Sequence, residues 1–412
     1  MSFLQELLDM IIDEASKISG KEESTRALTS LSLVSRAFRE RAHSHLFASI
    51  TFDGSAQAME AAQHFLGLLE ADHDTDTVGL ASKISSFACT IPDWSDVGPL
   101  VIILNKLFIA EGRPCSLYLS FLRGCSWLSL PGNLAQEIFQ VCHRPRLATL
   151  SIYFLYDIPR NFLRHSFVKR LSMDHVSTSN SQLPEFWFAE MAGQGHCEIV
   201  ALEYLETSVD NSILPLLTTS QQFDPKTVFS SLQELHFYDL FNNMDSTPQL
   251  TEILLGCHGQ LRILKIWIAQ IHYDLNLLPI QNLRNLRTLA ITVKIHSFTP
   301  LSDIVEFLER VEHPPSLHTI ELGFVASLPD FTLPVDDKDI LDAFQKQGSK
   351  ALDELFTQQR FHQVRHLALK CELIGCNRLR SPEEFECLLL SRFPRIASRE
   401  HLAFSVHVKC IY

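Results

Sequence analysis

A short pattern, apolar-x-x-apolar-x-apolar, recurs along most of the chain. Its clearest copies are Leu147/Leu150/Ile152, Val168/Leu171/Met173, Ile199/Leu202/Tyr204, Leu232/Leu235/Phe237, Leu261/Leu264/Ile266, Leu286/Leu289/Ile291, Leu317/Ile320/Leu322 and Val364/Leu367/Leu369. Weaker copies stand at Phe47/Ile50/Phe52, Ile84/Phe87/Cys89, Pro114/Leu117/Leu119 and Leu402/Phe404. Each predicts a short strand with one buried face, because successive side chains on a strand point to opposite sides. The clear copies start 21, 31, 33, 29, 25, 31 and 47 residues apart, and the last step predicts a degenerate copy or an insertion. Between the copies, apolar residues fall every three or four positions, which predicts amphipathic helices. Leu134 to Val141, Thr251 to Leu255 and Ser302 to Val311 are examples, with Ser302 the expected N-cap of the last.

Residues 1–46 lack the strand motif and predict a separate helical unit. Leu4, Leu7, Leu8, Ile11 and Ile12 share one face of a helix whose other face carries Glu6, Asp9, Asp13 and Glu14. A polar turn around Gly20 leads to Ser24 and Thr25, expected capping residues, and then to Ala27, Leu28, Leu31, Leu33 and Val34. Three short helices bury little of their own apolar surface, so the unit needs a partner, either the following repeats or another chain.

One strand plus one helix per step predicts an α/β architecture over residues 47–412, an irregular leucine-rich-repeat solenoid with a curved parallel sheet and outer helices. A doubly wound domain shares the strand–helix alternation. The repeated strand motif and the missing glycine-rich turn after a first strand favour the solenoid. In the same register, the second motif position of four successive copies is Arg262, Arg287, His318 and Arg365, with Lys265 close by. Neighbouring strands lie about 4.8 Å apart, so these residues predict a basic ladder that binds an acidic or phosphorylated segment of a target. The plainer alternative is a solvated basic surface offset by Glu321 and neighbouring acidic loops.

Composition narrows the function classes. Apolar residues make up 46% and charged residues 20% of the 412, which excludes disorder over most of the length. Leucine occurs 62 times and glycine 15, so the chain is poor in the residue that phosphate-binding loops need. A net charge of −13 argues against non-specific binding to nucleic acid or an anionic membrane. No apolar run is long enough for a membrane helix, and the acidic start is unlike a secretory signal. The 10 cysteines include no Cys-x-x-Cys, and no asparagine begins a glycosylation sequon. Together these predict an intracellular protein, cytoplasmic or nuclear, with free thiols.

Catalytic signatures for nucleotide binding, serine hydrolysis and zinc proteolysis are missing from the sequence. The segment from Asp72 to Asp76 starts like a calcium loop, but Thr77 and Lys83 occupy the positions that need Gly and Glu. His362, His366, Cys371 and Cys376 form the best metal arrangement, yet His366 falls within a strand motif, so helical spacing does not apply. The expectation is a binding protein, not an enzyme, with no metal and no cofactor.

The segments Leu4-Gln5-Glu6-Leu7-Leu8-Asp9-Met10-Ile11-Ile12 and Leu31-Ser32-Leu33-Val34-Ser35-Arg36-Ala37-Phe38-Arg39 resemble an F-box, with Gln5 where the family has proline and Phe38 where it has tryptophan. Ser126 to Pro131, Arg392 to Arg395, and His45-Leu46-Phe47 running into a strand at Ile50 are similar to landmarks of the expanded fungal F-box proteins with irregular leucine-rich repeats. The resemblance implies a substrate receptor of a Skp–cullin–F-box type ubiquitin ligase. On that implication Leu4, Leu7, Leu8, Ile11, Ile12, Leu31, Leu33, Val34 and Phe38 contact the Skp-family adaptor, and through it a cullin scaffold. The repeats then bind a target protein. The alternative is an interaction scaffold in which the helical unit only caps the solenoid.

Overall fold

The computed structural model describes residues 3–71, 80–91, 97–110, 115–183, 187, 201–208, 213–217, 225–239, 246–257, 259–268, 278–295, 300–310, 316–327, 346–374 and 381–411. The chain forms two compact units, Met1–Val200 with Leu214–Thr219, and Ala201–Ile213 with Ser220–Tyr412. Both are α/β, with all-parallel main sheets and interleaved helices, consistent with a repeat solenoid.

The first unit opens with three helices in mutual contact, α1 (Phe3–Ser16), α2 (Lys21–Ser32) and α3 (Arg36–Leu46). Their small core is Ile12, Leu28 and Ala42, against which Ala15, Leu31, Phe38 and Leu46 pack. The expected caps at Ser24 and Thr25 lie inside α2, which starts after Gly20, a glycine with φ of 134° that side-chain-bearing residues avoid. Ser24 instead ties the helices together, its hydroxyl donating to the Ala15 and Ser16 carbonyls at 3.1 and 3.2 Å. The predicted cap geometry is found at Ser35, whose side chain accepts from the Phe38 N–H at 3.3 Å.

Five strands follow in the first unit's main sheet: β1 (Ser49–Phe52), β2 (Ser86–Ile91), β3 (Ser116–Ser126), β4 (Thr149–Tyr156) and, after the short β5 (Ile158–Arg160), β6 (Arg170–Asp174). The repeated motif places one side chain per strand in each core row: Ile50, Phe87, Leu117, Leu150 and Leu171 are register partners in sequence. Phe52, Cys89, Leu119, Ile152 and Met173 form the next row. All but the half-buried Ile50 are buried, and full burial of one such side chain contributes roughly 1.5–3 kcal/mol. A helix Gly132–Cys142 lays Leu134, Ile138, Phe139 and Val141 into the same core. The strand β7 (Thr178–Gln182) pairs only with β5 in a small side sheet.

At one level of this sheet three neighbouring strands turn left-handed together. Arg123 and Gly124 in β3, Phe154 in β4 and His175 after β6 all have φ between 52° and 75°. Four residues of β3 face one of β4 between the pairs Ser120/Tyr153 and Cys125/Leu155, so the strands bulge here. The rings of Phe154 and His175 stack at 4.8 Å with an interplanar angle of 9°. A Cβ on Gly124 would lie 2.6 Å from Tyr156 Cε2, so any side chain here has to push the tyrosine ring aside.

The second unit holds β8 (Tyr204–Ser208), β9 (Glu234–Asp239), β10 (Ile263–Ile268), β11 (Thr288–Ile295), β12 (Thr319–Ser327), β13 (His366–Ile374) and β14 (Ala403–Ile411), paired in that order. Leu205, Leu235, Leu264, Leu289, Ile320, Leu367 and Phe404 make one continuous row. One motif copy is corrected. The expected Ile199/Leu202/Tyr204 gives way to Leu202/Leu205/Thr207, which are buried, while Tyr204 lies on the opposite face. A threonine in the third core position hid this register. The 47-residue step is an insertion, since β12 pairs with β13 directly, and it includes the helix Lys346–Leu355. The helix Pro300–Arg310 begins before Ser302, so Ser302 is not its N-cap.

Candidate interaction surfaces

The helical unit sorts the nine residues expected to contact an adaptor. Ile12 is 1% exposed and is the centre of the unit's own core, with Leu31 and Phe38 packed against it. Leu8 is half-buried, and the Leu4 side chain lies outside the described residues. Leu33 and Val34, in the turn between α2 and α3, are 76% and 65% exposed. On α1, Leu7 and Ile11 are exposed together with Met10, which adds a third large apolar side chain at helical spacing.

The unit is braced by an ion network. Arg41 donates to both oxygens of Asp13 at 2.9 and 2.7 Å, and His45 Nε2 lies 2.8 Å from Asp13 Oδ1. Hydrogen bonds from Arg41 and then His45 hold the Asp13 carboxyl down at about 2. The bridge joins α1 to α3, leaving the Leu33–Val34 turn outside it.

In the second unit the basic residues come together in register. Each stands one residue or so before a strand begins. The N–H of Arg287 donates to the Arg262 carbonyl at 2.8 Å, that of His318 to Arg287 at 2.9 Å, and that of Arg365 to His318 at 2.8 Å. The row therefore lies at the N-terminal edge of the sheet, and the insertion before β13 does not interrupt it. Lys265 stands apart from it. It projects from β10 itself, 3.9 Å from the Glu234 carboxylate. The acid expected to offset the row, Glu321, is instead held by Lys370 at 2.5 Å. His318 turns its Nδ1 to the Ser316 carbonyl.

Beside Lys265 the open face of β8–β10 carries a polar–aromatic cluster that sequence reading missed. The Tyr204 hydroxyl donates to Glu206 at 2.8 Å and lies 3.2 Å from His236 Nδ1, while His236 Nε2 lies 2.7 Å from Glu234. Burial holds the His236 pKa below the usual imidazole range, against the opposing hydrogen bond that the ring donates to Glu234. Tyr238 and Trp267 are register partners in the next row. Alternation along β8 and β9 would have shown this face had the β8 register been read from Leu205.

The histidine–cysteine arrangement is not brought together. On β13, His366 is exposed and Cys371 is buried, five residues on and on the opposite face of the strand. Cys376, like the acidic segment 72–76, lies outside the described residues. The eight described cysteines are free, and burial pushes the Cys89, Cys257 and Cys371 thiols up to about 12. Among the described residues no helix is long and apolar enough to cross a membrane.

Compared with known proteins, the sequence matches no family model, and no curated protein matches it either.

Proposed function

We propose that the chain is the substrate-recognition subunit of a Skp–cullin–F-box type ubiquitin ligase. Its helical unit docks on a Skp-family adaptor, and its repeats hold a target protein. The observation that carries this reading is the set of large apolar side chains that the three helices leave in water: Leu7, Met10 and Ile11 on α1, and Leu33 and Val34 in the following turn. Burying a leucine contributes roughly 1.5–3 kcal/mol, which a partner surface would recover. The likeness of these same segments to an F-box supports an adaptor as that partner. The protein then performs no chemistry of its own. It supplies proximity, making the encounter of target and ubiquitin-loaded enzyme effectively intramolecular.

The test is co-purification of full-length protein with a Skp-family adaptor, using the double substitution Leu33→Asp and Val34→Asp. Both side chains are exposed, so the variant keeps the parent's helicity and melting temperature. The parent is expected to capture the adaptor and the variant to lose it. Failure of the parent to capture it, or capture undiminished in the variant, overturns the reading. The helical unit would then be a cap, a role favoured by the two-residue step from α3 into β1 and by Lys83 Nζ donating to the Glu40 carbonyl at 3.4 Å.

A further inference from the structure

We infer that the N-terminal edge of the second unit's sheet binds a run of aspartate and glutamate side chains on a partner protein. The inference rests on the reading of the repeats as the part that holds a target, and it supplies the chemistry of what they hold. Arg262, Arg287, His318 and Arg365 follow one another across four adjacent strands with no strand between them. At about 4.8 Å per strand the row is roughly 14 Å long. Arg262, Arg287 and Arg365 are exposed, and no described acidic residue pairs with them.

The surroundings are equally one-sided. The described loops that enter β10 to β14 (259–262, 278–287, 316–318, 356–365 and 391–402) hold eight arginines, no lysine and a single acidic residue, Glu400. The chain as a whole has 48 acidic residues against 35 basic. Some of these arginines serve the fold. Arg395 pairs with Glu354 at 3.3 Å, Arg360 donates to the Glu309 carbonyl at 2.5 Å, and Arg399 donates to the Phe356 carbonyl. Arg284 stands exposed beside the row.

Like charges in register repel, so the bare row gains from an anionic partner. Arginine suits that task because its planar fork meets a carboxylate through two parallel hydrogen bonds. An extended peptide rises about 3.3 Å per residue, so four or five residues cover the row. Charge spread along the row matches a run of carboxylates better than one phosphate. A nucleic-acid strand fits less well, since no Trp, Tyr or Phe stands in the row to stack a base.

The experiment measures fluorescence anisotropy of a short labelled peptide of alternating aspartate and glutamate on the full chain. The parent is compared with Arg262→Glu/Arg287→Glu and with Arg262→Lys/Arg287→Lys. Both positions are exposed, so the variants keep the parent's circular dichroism. The charge reversal is expected to weaken binding about tenfold or more, and the lysine pair by a smaller factor, with affinity falling as salt rises. Absence of binding by the parent overturns the proposal, as does equal binding by the reversal. Tighter binding of a singly phosphorylated peptide or of a single-stranded oligonucleotide also overturns it. The Leu33→Asp/Val34→Asp variant is expected to bind the acidic peptide like the parent, and the reversal variant to capture the adaptor, so each reading fails separately.

Discussion

Replacing Asp353 with alanine should destabilise the second unit more than almost any other polar substitution. Asp353 lies on the helix Lys346–Leu355 and is 4% exposed. Its carboxylate accepts from the Ile396 N–H at 2.9 Å and from the Arg395 N–H at 3.1 and 3.2 Å. Those are first-turn amides of the short helix Pro394–Ala397, which have no partner within that helix. A hydrogen bond to a charged group is worth about 1.5–3 kcal/mol, whereas losing an exposed N-cap costs about 0.5–2 kcal/mol. Ile396 is fully buried, so water reaches its amide poorly and the larger figure applies to it. For the half-shielded Arg395 amide the smaller applies. The sum is roughly 3 kcal/mol for Asp353→Ala and about half that for Asp353→Asn, whose amide oxygen still accepts. At about 2–4 °C per kcal/mol for a unit of this size, the alanine variant should melt roughly 6–12 °C lower. Thermal unfolding followed by circular dichroism measures this. A loss under 2 °C, or equal losses for Ala and Asn, would refute the bridging role.

Two further outcomes test other parts of the fold. The Asp13 carboxyl sits at about 2 against an ordinary 3.8, so its bridge to Arg41 and His45 stabilises fully above pH 3.8 and is lost as pH falls through about 2. Asp13→Asn should therefore lower the urea midpoint at pH 6, and the gap from the parent should close between pH 4 and 2; a gap independent of pH would contradict this. Gly124→Ala combines a φ of 75° with a Cβ 2.6 Å from Tyr156, and overpacking of this kind costs about 1–3 kcal/mol. Pairing it with Tyr156→Ala should recover part of the lost melting temperature, and strictly additive losses would show that the ring is not the obstacle.

The rows of the sheet were legible because a leucine at a fixed motif position is both the signal and the packed group. That is why Leu264, Leu289, Ile320 and Leu367 align as expected and carry Arg262, Arg287, His318 and Arg365 into register with them. Where a core position is polar the signal fails, and Thr207 moved one strand's reading by three residues. The amphipathic face of α1 was legible as a face but not as a role. A stripe wide enough for five apolar residues exceeds what two short neighbouring helices cover, so Ile12 turns in while Leu7 and Ile11 stay out. The left-handed line through Arg123, Phe154 and His175 left no trace apart from Gly124, because nothing local distinguishes a bulky residue forced to positive φ.

The insertion between β12 and β13 has a consequence for how this chain can change. Every strand from β9 to β14 pairs with its neighbours in sequence and with no other strand, so each seam answers only to the elements beside it. A connection that already carries a 47-residue step leaves the pairing of Thr319 with His366 intact. It is therefore a permissive seam, where a reporter domain or a protease site can be spliced in while the strands on either side keep their alignment. By the same locality, descendants of this chain can gain or lose a strand and its helix as a unit, changing reach without redesigning the core.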